Sequence, residues 1–317
     1  MIEFVNAKIN IGLSVVKRRE DGYHELSTVF YPVGRFAGTP ENPESFCDML
    51  EISGLSEESQ CSEKFLFETS GESVDCPNEK NLVYKAAKLY FDTFTSDFDF
   101  KARILLEKHL PSQAGMGGGS ADAAFTLKML RDLQYAQKIE KCGIPVDSFT
   151  KKCYETKLPT DKELCELAVR LGADCPFFLL NRPAYASGIG DQLEPIDLDL
   201  SGKWLVVVKP PVSISTAAAF AGITPKIPEF DLREITSLKI EDWKHIIIND
   251  FEKPFFDAYP GMRFIKDKLY DSGAQYASLT GSGSCIYGIF ENQTSAASAK
   301  KSFTSGPTIS ASYLLKL

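Results

Sequence analysis

The sequence predicts an α+β protein built from two domains. Three observations carry that reading. Near the start, two runs that alternate apolar and polar residues are joined across Asp21-Gly22, a strand–turn–strand signal. Later stretches switch to the period of an amphipathic helix. Hairpins and helices are interleaved without the regular strand–helix alternation of a parallel sheet. The chain has 317 residues, about two domains' worth at ~100–200 residues each. We place the domains at residues 1–195 and 196–317.

Taken in order, Phe4–Val16 reads as a strand with one buried face, and Tyr23–Tyr31 as its return partner. Residues 38–80 are rich in Ser, Glu, Pro and Cys and read as a long, partly irregular excursion, with strand pieces at Asp48–Ile52 and Phe65–Glu68. Asn81–Phe94 has helical spacing in Leu82, Ala86, Leu89 and Tyr90, and Phe100–Glu107 reads as a strand. A glycine-rich loop then runs into a helix over Phe125–Leu133, and residues 134–160 are charged and less patterned. Leu164–Leu171 is helical and stops at Gly172, a natural C-cap. Strands are expected at Ala184–Ser187 and Trp204–Lys209, broken by Pro210-Pro211. The last third holds a helix at Met262–Asp271, a strand at Tyr276–Thr280, a Gly281-Ser-Gly-Ser loop and a strand at Cys285–Phe290.

Composition narrows the function classes. With 35 Lys+Arg against 43 Asp+Glu the net charge is −8, which argues against bulk nucleic-acid binding, since that needs cations to displace phosphate counterions. A local donor cluster can still hold a small anion. No run approaches the ~18 apolar residues of a membrane span, and no charged leader with an apolar stretch opens the chain. The eight cysteines include no CxxC pair and no zinc-like spacing. They read as reduced thiols, so a cytoplasmic location is expected.

The most informative stretch is Pro111-Ser-Gln-Ala-Gly-Met-Gly-Gly-Gly-Ser-Ala121. Gly115, Gly117, Gly118 and Gly119 are costly in backbone entropy unless the chain needs unusual dihedrals or close approach. Ahead of a helix, such a loop turns successive N–H groups toward an anion. Ser120, near the helix start, can donate to a phosphate oxygen or meet Mg²⁺. The stretch is not a Walker A loop, because the Gly-Lys-Ser/Thr ending is absent, nor a dinucleotide fingerprint, because Ser120 stands at the third glycine position. The bland alternative is a sharp turn or linker.

Four segments in order resemble the GHMP kinases, the superfamily of galactokinase, homoserine kinase and mevalonate kinase. They are Ala7-Lys-Ile-Asn10 with Asp21-Gly-Tyr-His24, the loop Pro111–Ala124, Leu171-Gly-Ala-Asp-Cys-Pro176, and Leu279-Thr-Gly-Ser-Gly-Ser284. Within the superfamily they are most similar to the branch that phosphorylates the 2-hydroxyl of 4-diphosphocytidyl-2-C-methyl-D-erythritol in the non-mevalonate isoprenoid route. The loop departs from some members in opening with Ser112-Gln-Ala, and residues 134–160 are longer. The resemblance implies an ATP-binding N-terminal domain, a substrate-binding C-terminal domain and an active site in the cleft between them. It also implies ATP and Mg²⁺ as cofactors and a small cytidine diphosphate substrate, with no nucleic acid, membrane or obligate protein partner.

The same resemblance assigns roles. Asp174 takes the acceptor proton and Lys8 orients the hydroxyl and steadies charge on the transferred group. Asn81, Leu82 and Val83 line an adenine pocket, with Lys108, Pro111, Gly115, Met116, Gly117, Gly118, Gly119, Ser120 and Ala121 around the phosphates. Tyr23 stacks on cytosine, His24 reads its edge, and Phe220 supplies the opposite stacking face. Asn10 and Thr216 add polar contacts, and Gly281, Ser282 and Gly283 close on the substrate's diphosphate. No metal ligand is fixed by the protein beyond a role for Ser120. His109 and His245 have no such context and read as structural. The rival readings are a homoserine- or mevalonate-type kinase, and a non-catalytic binding protein that keeps the fold.

Overall fold

The computed structural model describes residues 1–34, 46–55, 63–72, 76–95, 100–141 and 158–317. Cys61, Cys142, Cys153 and most of the unpatterned segment after residue 141 lie outside them. The strands are β1 (Ile2–Arg18), β2 (His24–Val33), β3 (Cys47–Gly54), β4 (Phe65–Gly71), β5 (Ala102–Lys108), β6 (Ala184–Ser187), β7 (Gln192–Pro195), β8 (Trp204–Lys209), β9 (Tyr276–Leu279), β10 (Ile286–Phe290) and β11 (Ala311–Lys316). The helices are α1 (Leu82–Phe94), α2 (Gly118–Lys141), α3 (Asp161–Leu171), α4 (Cys175–Leu180), α5 (Thr216–Ala221), α6 (Ile240–Ile246), α7 (Glu252–Ala258), α8 (Arg263–Asp271) and α9 (Gln293–Lys301). Helices and strands are mixed as the sequence predicts.

The chain divides into two compact units, and each is threaded through the sequence more than once. The first comprises Met1–Val5, Asp48–His109 and Gly119–Leu180; the second comprises Asn6–Cys47, Leu110–Gly118 and Asn181–Leu317. This division differs from a single boundary at residue 195. The polypeptide passes between units inside β1 and again inside the glycine-rich stretch, two places where local composition does not change.

In the first unit β5 lies between β3, antiparallel to it, and β4, parallel to it. Leu50, Ile52, Ile104 and Leu106 are buried in this layer. Helix α1 buries Val83, Ala86, Ala87, Tyr90 and Phe91, an i, i+3, i+4 stripe. The Phe91 ring stacks on Phe65 and Phe100 at 5.6 and 5.0 Å. Helix α2 runs eight residues past its expected end at Leu133. The cause is visible at Gln134, a buried polar residue that accepts from the Tyr90 hydroxyl at 2.6 Å and donates to the Phe94 carbonyl at 3.1 Å. A satisfied polar group inside the apolar stripe hides the period. Helix α3 opens on a capping box, with Thr160 and Glu163 each bonding the other's backbone N–H.

In the second unit β1 pairs antiparallel with β2, β2 with β6, and β6 with β7. The β1–β2 register sets Lys8 opposite Pro32, Asn10 opposite Phe30 and Arg18 opposite His24. The expected hairpin forms, but its loop spans Arg19–Tyr23 and is not a two-residue Asp-Gly turn. Asp21 accepts from the Tyr23 N–H at 3.0 Å and pairs with Arg19 at 2.9 Å, and that Asx-type closure widens the loop. A second, fully antiparallel sheet has the order β11-β8-β10-β9. One core cluster joins Ile9 and Ile11 to Leu205, Val207, Tyr276 and Tyr287; another joins Leu13 and Val15 to Val206, Val208, Phe255 and Phe290. Alternate β8 residues therefore face opposite cores, as a strand's two-residue period requires.

Candidate active site

The second unit gathers three expected segments that are far apart in sequence. Lys8 is buried in β1, and its ammonium bonds the Asn10 side-chain oxygen at 2.5 Å while lying 4.7 Å from the centre of the Phe30 ring. Asn10 donates to the Thr28 hydroxyl at 2.9 Å, and that hydroxyl donates to the Gly12 carbonyl at 2.6 Å. This chain of donors fixes which end of the Asn10 amide faces Lys8. The Lys8 N–H bonds the Met116 carbonyl at 3.0 Å, so the first half of the glycine loop is tied to β1.

The Gly281 loop closes on the same place. The Thr280 hydroxyl donates to the Gly115 carbonyl at 3.1 Å and accepts from the Asn10 N–H at 3.1 Å. Cys285 donates its N–H to the Ala114 carbonyl at 3.2 Å. Gly115 has φ of 72°, and a β-carbon there would collide with the Thr280 carbonyl; Gly281 has φ of 55°, and a β-carbon there would come 2.8 Å from the Gly115 carbonyl. These two glycines are required by packing of one loop's backbone on the other's. Buried Asn249 holds the Gly281 loop from below, donating to the carbonyls of Leu279 and Gly281 at 2.8 and 2.9 Å. Thr280 and Asn249 were missed from sequence. Thr280 stands inside a quoted motif and was within reach, whereas nothing near Asn249 marks it.

The residues expected to meet a base occupy the same unit, with Phe220 placed differently from expectation. Tyr23 is 60% exposed in the hairpin loop. The Phe220 ring, expected as a second stacking face, lies instead on the His24 imidazole, with centroids 4.5 Å apart and planes 11° from parallel. Phe220 is held there by an edge contact with Phe251 at 4.9 Å and by the second core cluster. Thr216 is the first residue of α5; its side chain lies outside what is described. Ser282 is half-buried between the buried Gly281 and Gly283.

The first unit resumes at Gly119, the second residue of α2. Helix α2 starts at Gly118, so Gly118, Gly119, Ser120 and Ala121 form its first turn, whose N–H groups have no partner within the helix. Asp174 immediately precedes the short helix α4 and is half-buried. Its neighbour Cys175 is buried, and the thiol hydrogen-bonds Ser120. Burial pushes that thiol up to about 12, with the Ser120 bond opposing and Asp174 adding to the rise. The segment carrying Asp174 is thereby fastened to the start of α2. The link went unseen because a cysteine without metal spacing carries no sequence signal.

Asn81 caps α1 by accepting from the Val83 N–H at 2.8 Å. Val83 is fully buried, so the trio is not uniformly available to line a pocket; half-buried Leu82 is the member beside Gly119. Pro111 is half-buried just after β5.

Lys108 departs most from expectation. It is buried, and its ammonium donates to Asp48 of β3 and, at 2.7 Å, to Asp122 of α2. Asp48 also accepts from the His109 N–H at 2.7 Å. Burial alone would lower the Lys108 ammonium, but the two carboxylates outweigh it and raise it. Burial, reinforced by Asp48 and opposed by Lys108, pushes Asp122 up to about 8. Lys108 is thus engaged in a buried clamp between β3, β5 and the first turns of α2. Asp48 and Asp122 were missed because they are remote from one another in sequence.

The family model for the GHMP kinases N-terminal domain matches residues 81–145, and that for the GHMP kinases C-terminal domain matches residues 232–307. The 4-diphosphocytidyl-2-C-methyl-D-erythritol kinase of Parabacteroides distasonis is 41% identical over 295 residues, 93% of each chain. That of Bacteroides fragilis is 42% identical over 92% of each. The chain belongs to the 4-diphosphocytidyl-2-C-methyl-D-erythritol kinase family of GHMP kinases. A crystal structure of a 4-(cytidine 5'-diphospho)-2C-methyl-D-erythritol kinase, 30% identical, covers all of both chains with a TM-score of 0.73. Mevalonate kinase from Methanococcus jannaschii, 13% identical with a TM-score of 0.61, shares the fold alone. The α+β GHMP kinase fold expected from the four segments is the fold of this chain.

Proposed function

We propose that the chain is an ATP-dependent kinase transferring a γ-phosphoryl group to the 2-hydroxyl of 4-diphosphocytidyl-2-C-methyl-D-erythritol, in the non-mevalonate route to isoprenoid precursors. The observation that carries this is similarity at 41% identity along 93% of the chain to kinases named for that substrate. Homoserine and mevalonate kinases share the fold at only 15% and 13%.

Phosphoryl transfer asks a protein chiefly for positioning and charge stabilisation. In this reading Asp174 accepts the proton of the attacking hydroxyl. Lys8 supplies a cation held in place by Asn10 and Phe30, where poor solvation strengthens its pull on developing negative charge. The first turn of α2 offers N–H groups and the Ser120 hydroxyl to the phosphates of ATP. Mg²⁺ arriving with ATP would neutralise phosphate charge, and Ser120 is the side chain at the helix start suited to meet it. Among the described residues no group of three His, Cys, Asp or Glu side chains is placed to hold a metal by itself. Tyr23 is the ring open to cytosine, and His24, backed by Phe220, presents its nitrogens to the base edge. Along the sequence, residues 1–195 supply the nucleotide contacts, and Thr216, Phe220 and the 281–283 turn of residues 196–317 serve the substrate. Small molecules in the cytoplasm are its partners in this reading; among the described residues no helix is long and apolar enough to cross a membrane.

Coupled ADP release, measured with the cytidine substrate, mevalonate and homoserine in parallel, tests the proposal. Turnover with the cytidine substrate alone is expected. Turnover with either of the others instead would reassign the acceptor, and none with any would support a non-catalytic protein.

A further inference from the structure

Lys209, the last residue of β8, is 9% exposed. Its ammonium donates to two neutral acceptors, the Ser284 hydroxyl at 2.6 Å and the Val212 carbonyl at 3.0 Å. Ser284 in turn donates to the same Val212 carbonyl at 2.6 Å. The result is a three-membered network joining the loop after β8 to the Gly281–Ser284 loop. Among the described residues no carboxylate pairs with Lys209. Among the described residues, the other lysines buried to this degree are Lys8, which faces Asn10, and Lys108, which faces two aspartates.

A buried ammonium without an anion is costly, because neutral acceptors replace only part of its hydration. Burial lowers the Lys209 ammonium from its ordinary value, with only the nearby Cys285 thiol opposing. A cation in this state gains strongly from an anion reaching the loop above it. Ser284 is the natural relay, since its hydroxyl can keep the Lys209 bond while the Gly281–Ser284 backbone meets the ligand.

We propose that Lys209 is the counter-charge for a diphosphate bound at the Gly281–Ser284 loop. It acts through Ser284 as a positioning residue, and the substrate's diphosphate, not the ATP phosphates, is the group it serves. The identity of the diphosphate rests on the kinase reading; the presence of an anion site beside Lys209 does not. Lys209 has no proton to move in the transfer, so its removal should act on binding and leave the chemical step alone.

The test is titration calorimetry of the full chain with inorganic pyrophosphate, CDP and a non-hydrolysable ATP analogue. The variants are Lys209→Met, Lys209→Arg and Ser284→Ala. Lys209→Met should weaken CDP and pyrophosphate by about tenfold, the loss expected for one charge-assisted contact, and leave the ATP analogue within about twofold. Lys209→Arg should recover part of the loss, and Ser284→Ala should reproduce part of it. In steady state the substrate KM should rise with kcat preserved. If Lys209→Met unfolds, Ser284→Ala, which keeps the charge and removes only a hydroxyl, carries the test. CDP and pyrophosphate affinities unchanged in the folded variants would overturn the proposal. So would a loss confined to the ATP analogue, which would make Lys209 a nucleotide contact. Tight CDP binding lost in Lys209→Met, in a chain that shows no kinase turnover, would sustain the anion site while sinking the kinase reading.

Discussion

Asp174 and Lys8 are held in different ways, and the difference matters for what each can do. Asp174 stands at the mouth of α4, fastened through Cys175 to Ser120. Lys8 is a strand residue whose ammonium is fixed from two sides, by Asn10 and by the Phe30 ring. A rigid cation suits charge stabilisation, and a half-buried carboxylate at a helix start suits proton acceptance. Asp174→Asn keeps the shape and removes both charge and acceptor. Its kcat should fall by ~100-fold or more, the usual size of a general-base contribution, with affinity for an ATP analogue little changed. Near wild-type turnover would remove Asp174 from the chemistry. At this scale the sequence was most legible, because Lys8, Asn10, Gly115 and Gly281 all fall in the resembling segments. It gave no sign of the contacts of Phe220 and Lys108, whose partners His24, Asp48 and Asp122 are set by tertiary packing.

The elements that carry the site are joined by buried polar groups as well as apolar ones. The Asp48–Lys108–Asp122 clamp ties β3 and β5 to the start of α2. One cation faces two carboxylates, and the second Asp122 oxygen is buried without a hydrogen-bond partner, so ionisation of Asp122 is disfavoured in the folded protein. Its folded pKa, raised to about 8, lies above its value in the unfolded chain. The stabilisation is therefore complete below pH ~4 and is lost as pH rises toward ~8, because the folded state holds a proton that the unfolded state has released. Asp122→Asn removes that dependence. Thermal melts from pH 4 to 8 should show the variant gaining stability relative to the parent chain as pH rises. A difference that stays constant or shrinks would mean that Lys108 keeps Asp122 ionised throughout. The bounds of α1 fell within one residue of expectation, and α3 ended as expected at Leu171 but begins three residues earlier, at Asp161, where the Thr160–Glu163 capping box opens it. The end of α2 was hidden by Gln134, and α6, α7, α9 and β11 had no marked period.

Across the whole chain, segments far apart in sequence fold together. Asn6–Cys47 and Asn181–Leu317 belong to one unit, and Tyr287 of β10 donates to the Asn10 carbonyl of β1 at 2.7 Å. Length and composition give no sign that both β1 and the glycine stretch are shared between units, since a strand and a loop read the same whichever unit claims them. This threading explains why Lys8, Gly115 and Thr280 meet although they lie more than a hundred residues apart along the chain. In the proposed reaction the γ-phosphoryl group of ATP passes to the 2-hydroxyl of a cytidine diphosphate polyol whose diphosphate stays whole. Phosphorus NMR of the chain with ATP, Mg²⁺ and 4-diphosphocytidyl-2-C-methyl-D-erythritol tests it directly. ATP should convert to ADP with one new phosphomonoester resonance, equal in amount to the ADP, beside an intact substrate diphosphate. ADP accompanied only by inorganic phosphate, or a spectrum that does not change, would contradict it.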